Sequence, residues 1–120
     1  MIHHETIDIP VCYEEPFSPD LTAVAHYHHL TTSEIINIHS APIYHVYFLG
    51  FAPGFPFLGG MNEAIATPRK DTPSLQISKG SVGIAGKQTG IYPFASPGGW
   101  QIIGRTPIDL FNINNDPLRY

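Results

Sequence analysis

Cations are scarce in this chain, which makes each of them conspicuous. Six Lys and Arg stand against ten Asp and Glu. Arg69 and Arg105 are the two arginines beside turn residues, where a guanidinium can clamp a carboxylate or phosphate. A solvated charge at a strand end is the plainer reading of either. Gln88 and Thr89, flanked by Gly86 and Gly90, are polar groups expected on an exposed turn, with Tyr92 just beyond. The apolar counterpart is Phe51-Ala52-Pro53-Gly54-Phe55-Pro56-Phe57-Leu58-Gly59-Gly60, where proline fixes φ and glycine admits close backbone approach. Either Phe51, Phe55 and Phe57 fold inward and plug one end of a core, or with Pro53 they line a rigid aromatic groove. Such a groove suits a proline-containing or extended peptide, or a small ligand with an apolar edge.

Other chemistries find less support. A phosphate loop ending at Gly86-Lys87 needs glycine where Ser81 stands and Ser or Thr where Gln88 stands. The glycines of 80–90 also miss the dinucleotide spacing, and suggest instead a strand crossed closely by other backbone. His26, His28 and His29 share one predicted helix and His39 the next, but no His-Glu-x-x-His arrangement appears. The three histidines of the first helix are expected to face solvent, and no metal site is assigned. Cys12 has no motif marking a base, and no Gly-x-Ser-x-Gly elbow is present.

The elements that must position these residues fall into two parts. Residues 6–11 read as a short strand that Pro10 makes an edge strand or a strand end, not a central strand. Ser18-Pro19-Asp20 supplies a cap, a first-turn proline and an acid for a helix reaching about His29. Thr31 and Glu34 have the spacing of a capping box, opening a second helix to about Ser40. After Pro42 the pattern changes: residues 43–51 are aromatic and β-branched, as in a central strand. Strand-like pieces follow at 64–67, 75–78, 82–85, 90–92, 100–103 and 109–113, separated by Gly and Pro clusters. Trp100 is expected to pack the core.

Composition agrees with a turn-rich folded domain. The chain has 120 residues with 42% hydrophobic and only 13% charged, against about 25% charged in an average domain. One domain spanning 1–120 is the natural reading. The formal charge of −4 argues against a nucleic-acid partner, which needs a basic footprint. A single cysteine permits no internal disulfide. No apolar run approaches the roughly 18–20 residues of a membrane span, and residues 1–5 lack the pattern of a signal peptide. A soluble protein of a reducing cytoplasm is expected.

Three segments together resemble the family of the 5-oxoprolinase B subunit. That family includes the Kip sporulation-kinase inhibitor and is also called allophanate hydrolase subunit 1. The marks are Gly50-Phe51-Ala52-Pro53-Gly54-Phe55-Pro56-Phe57-Leu58-Gly59-Gly60 with Thr67-Pro68-Arg69, then the glycine-rich run from Gly80 through Gln88-Thr89-Gly90-Ile91-Tyr92-Pro93. Ser96-Pro97-Gly98-Gly99-Trp100-Gln101-Ile102-Ile103-Gly104-Arg105-Thr106-Pro107 completes them. The resemblance implies a mainly β, cyclophilin-like barrel with two short helices near its start. It implies further that the chain corresponds to the C-terminal domain of a longer protein whose N-terminal domain is absent. Between Pro73 and Gly80 the sequence departs from the family, which is richer there in proline and arginine.

Function by resemblance has two branches. In one, the chain is a component of an ATP-dependent 5-oxoprolinase that opens 5-oxoproline to L-glutamate together with the A and C subunits. In the other it inhibits a sporulation histidine kinase by binding the kinase's dimerisation domain through the barrel groove, with a Kip antagonist similar to the C subunit as partner. A third relative joins the fold to biotin-dependent carboxyl transfer in urea carboxylase. No complete nucleotide site or nucleophile–base pair is visible, so the domain alone is not expected to be a whole enzyme. It needs no cofactor of its own, while the complete assembly would use ATP. Either branch seats its ligand or partner among Phe51, Pro53, Phe55, Phe57, Arg69, Gln88, Thr89, Tyr92 and Arg105. Arg69 and Gln88 would orient a polar group against the phenylalanines. The cyclophilin likeness brings no motif for prolyl isomerisation, and a fold is not a function.

Overall fold

In the computed structural model, which describes residues 8–48 and 55–108, the early part of the chain is helical as its caps dictate. Thr31 Oγ1 accepts from the Glu34 backbone N–H at 3.0 Å, and Glu34 Oε1 accepts from the Thr31 N–H at 2.8 Å. This reciprocal box opens α2 (Thr32–Ser40). Helix α1 (Leu21–His28) ends with His29 in the left-handed region at φ 57°. It starts later than the Ser18 cap predicts, because Asp20 is drawn away to the sheet. Its carboxylate accepts from the Ile102 N–H at 2.7 Å, and its own N–H donates to the Ile102 carbonyl at 2.9 Å. Asp20 therefore fastens a helix to a strand instead of capping its own first turn.

Among the described residues seven strands follow: β1 (His45–Phe48), β2 (Pro56–Gly59), β3 (Ser74–Ile77), β4 (Ser81–Ala85), β5 (Gln88–Ile91), β6 (Ser96–Gly98) and β7 (Gln101–Arg105). Five form an antiparallel sheet in the order β1-β2-β5-β4-β7, and β3 pairs with β6 in a separate ribbon. The class is mainly β with two helices, as expected. Among the described residues β1 stands at one end of the sheet, not at its centre, with Val46 and Tyr47 partly exposed. Its aromatic and β-branched composition reflects a pleated surface, which an end strand also offers.

Three other expectations are corrected. The proline- and glycine-rich stretch contains β2, which starts at Pro56; the first residue of a strand is a position that proline tolerates. Residues 63–65 form a 3-10 turn, leaving only a Thr67–Gly86 bridge of the strand foreseen at 64–67. Residues 8–11 of the expected first strand form no strand, and it is the following residue, Cys12, that bridges to Arg105. The strand foreseen at 109–113 lies outside the described residues.

Each face of the sheet has its own core. On one, Leu21, Val24 and Ala25 of α1 and Ile35 of α2 pack over Val82, Ile84, Ile91 and Ile103. On the other, Ile77 of β3 joins Ala85, Tyr92, Trp100 and Ile102, with Phe55 and Phe57 against them. No helix among the described residues is long and apolar enough to cross a membrane.

Candidate functional site

Alternation along β5 decides which candidate residues share a face. Side chains point to opposite sides at successive strand positions. Gln88, Gly90 and, just past the strand, Tyr92 therefore face one way, and Thr89 and Ile91 the other. The register carries this across the sheet, since Gly90 stands opposite Phe57 of β2 and Gly83 of β4. Gly90 has no side chain because Phe55 occupies its space: a Cβ there would lie 2.7 Å from Phe55 Cε2 and 2.9 Å from the Pro56 carbonyl oxygen.

Phe55 is the hub of an aromatic cluster. Its ring centroid lies 4.9 Å from Phe57, 5.2 Å from Tyr92 and 5.1 Å from Trp100. The Phe57 and Tyr92 contacts are edge-to-face, the arrangement that ring quadrupoles favour. Tyr47 stacks on Phe57 at 5.5 Å. Tyr92 reaches in over Gly98 of β6, its hydroxyl taking the space a Cβ would need. Burial raises the Tyr92 pKa above its ordinary value, while the Trp100 backbone N–H bonded to the phenol and the nearby Arg69 charge pull the other way.

A polar rim borders these rings. The Lys70 N–H donates to the Gly99 carbonyl at 2.7 Å, which ties the segment bearing Arg69 beside Trp100. The Arg69 Cζ sits 5.9 Å from the Trp100 ring centroid, within cation–π range. Lys70 itself is engaged by Asp20 at 3.4 Å and by the Ser74 hydroxyl at 2.5 Å. Gln88 is exposed at the start of β5, on the ring face.

Two candidates lie elsewhere. Thr89, expected on an exposed turn beside Gln88, is fully buried on the helix-covered face. Its hydroxyl donates to the Gly83 carbonyl at 2.8 Å and lies 2.9 Å from His39 Nε2. With its proton committed to Gly83, Thr89 accepts from His39 Nε2–H, which leaves Nδ1 to accept from the Tyr13 hydroxyl at 3.3 Å. The Tyr44 hydroxyl donates to the His39 carbonyl. Burial lowers the His39 pKa to about 4, so the ring is neutral near pH 7. Arg105 packs its guanidinium over Phe17 at 4.7 Å and has its Nε buried without a partner. Phe51 and Pro53 lie outside the described residues.

Trp100 packs the core as expected, whereas sequence reasoning passed over Tyr47. The signal for Tyr47 was strand alternation combined with register, which requires the pairing partners to be known. His28, expected to face solvent, is half-buried, its Nε2 3.0 Å from the Thr67 hydroxyl. His39 is the buried centre of the network above. The glycine-rich stretch is a β4–β5 hairpin turning at Gly86 (φ 61°), not a loop opening a helix. Among the described residues no three His, Cys, Asp or Glu side chains converge as metal ligands. The arrangement offers apolar and cation–π contact, one guanidinium, one phenol and one amide.

Comparison with known proteins gives a consistent result. The family model described as "Carboxyltransferase domain, subdomain C and D" matches residues 2–119. The 5-oxoprolinase B subunit of Bacillus subtilis (strain 168) is 54% identical over 116 residues, covering 97% of this chain and 48% of that protein. The protein of the same name from Haemophilus influenzae is 55% identical over 108 residues, covering 90% of this chain and 51% of that protein. Among solved structures, the conserved protein PH0987 from Pyrococcus horikoshii superposes with a TM-score of 0.81 at 60% identity, over 87% of this chain and 48% of that one. The chain thus spans about half the length of the curated relatives it matches.

Proposed function

The chain belongs to the carboxyltransferase-domain family, subdomains C and D, and from that premise we propose that it serves within a 5-oxoprolinase as part of its B subunit. The relatives that carry that name support the reading, and their being named as subunits points to further chains in the assembly. The proposed partners are the A and C subunits, and the proposed reaction is ATP-dependent opening of 5-oxoproline to L-glutamate. ATP use is assigned to the assembly and not to this chain, whose glycine-rich segment is a hairpin without the spacing of a phosphate loop.

Within that assembly the ring face is the ligand-facing part of the chain. One observation carries this: Gln88 and Arg69 border the same face on which Phe55, Phe57, Tyr92 and Trp100 gather. An apolar floor with a few convergent polar groups is the usual make-up of a small-molecule site. The test is reconstitution of the full-length protein with the A and C subunits, reading ATP hydrolysis that depends on 5-oxoproline. Turnover that requires this component supports the reading, and a complete assembly without such turnover refutes it.

A further inference from the structure

We infer that Arg69 and Tyr92 form a carboxylate-binding subsite over Trp100, one that holds the acid group of a small cyclic monoacid. The inference rests on the ring-face reading and deepens it by naming the group recognised and the two donors. Arg69 is the available cation at this place. Its neighbour Lys70 is occupied by Asp20 and Ser74, whereas Arg69 makes no ion pair among the described residues. Arg69 is exposed, with its Cζ 5.9 Å from the Trp100 ring centroid, and a guanidinium without an ion-pair partner offers the N–H fork that meets a carboxylate bidentately.

The second donor is the Tyr92 hydroxyl. The Trp100 backbone hydrogen-bonds to its oxygen, and the phenol keeps one O–H to donate. Burial favours the protonated phenol, which keeps it a donor at neutral pH. Trp100 neighbours both groups, 5.9 Å from the Arg69 Cζ and 6.3 Å in centroid distance from Tyr92. Phe55 packs on both Tyr92 and Trp100, supplying an apolar wall for the ring of the acid. A five-membered lactam acid presents one carboxylate on a compact ring with an apolar methylene edge.

Trp100 is the only tryptophan in the chain, so its fluorescence reports occupancy directly. The full chain is titrated with 5-oxoproline, with its neutral amide, with 2-pyrrolidinone, and with cyclopentanecarboxylate. The expected result is a saturable change with both acids and binding at least about tenfold weaker for the amide and the plain lactam. Arg69→Ala and Tyr92→Phe are each expected to weaken acid binding about tenfold or more while leaving the amide unaffected. Arg69 lies at the rim of the cluster and Tyr92→Phe removes a single atom, so both variants keep the fold, which far-UV circular dichroism verifies. An amide that binds as tightly as the acid, acids that give no saturable change, or variants that bind the acid normally would each overturn the subsite. The two readings separate cleanly. Carboxylate binding without 5-oxoproline turnover in the assembly keeps the subsite and refutes the oxoprolinase role. Turnover undiminished in both variants does the reverse.

Discussion

Phe55 lies directly over Gly90, so closely that a Cβ at residue 90 would stand 2.7 Å from its ring. This contact sets the ring face. With Gly90 bare, Phe55 drops onto β5 and packs its ring against Tyr92 and Trp100. The same strand presents Gln88 two residues earlier, which places the polar and aromatic candidates on one surface.

Gly90→Ala is expected to destabilise the fold by about 1–3 kcal/mol, the usual cost of overpacking. The Phe55 ring can swing, but the Pro56 carbonyl oxygen at 2.9 Å belongs to a paired strand and cannot yield cheaply. The urea midpoint should fall, and Trp100 fluorescence in the native state should shift as its neighbour moves. An unchanged midpoint would show that the strand yields freely.

Thr89→Val preserves shape and removes one hydroxyl from the opposite face. It leaves His39 Nε2–H and the Gly83 carbonyl without their shared partner. A buried group left unsatisfied costs about 1–3 kcal/mol. Urea denaturation at pH 7 should show a loss in that range; a loss near zero would mean that the network is held by other groups.

Acid sensitivity follows from His39. Its folded pKa of about 4 lies below the ordinary 6.5, so the unfolded chain takes up a proton between those values while the folded chain does not. Stability from this residue is fully present above pH 6.5 and is lost as pH falls towards 4, by roughly 3 kcal/mol in all. Urea midpoints measured from pH 7 to pH 4 should fall, and His39→Gln should flatten that slope. Equal slopes in the two proteins would contradict this.

Asp20→Ala should cost about 1–3 kcal/mol by stripping the Ile102 N–H of its acceptor, and Asp20→Asn, which keeps a side-chain oxygen, should recover most of it. Chemical denaturation of the two variants side by side checks the order. Ala and Asn variants of equal stability would place the contribution of Asp20 elsewhere.

Legibility in the sequence followed the range of the interaction. The Thr31–Glu34 box is local, and α2 starts where its spacing dictates. Asp20 has the same local look but serves a strand 82 residues away, so α1 starts later than the local pattern implies. Strand β2 hid inside a proline- and glycine-rich stretch because its stability comes from two neighbours, β1 and β5, that no local pattern reveals. For the site, Phe55, Phe57, Gln88 and Tyr92 were legible as types. Thr89 was not, since one step along a strand reverses the face a residue presents. His39 carried no local mark of burial, because its partners Tyr13 and Thr89 come from distant elements.

The most direct measurement is 5-oxoproline-dependent ATP hydrolysis by the complete assembly, compared between the unmodified protein and Arg69→Ala. Arg69 touches the ring face at Trp100 from its rim, so its loss should spare the fold while lowering kcat/KM about tenfold or more. Equal kcat/KM in the two assemblies would contradict the assignment of this face to the ligand.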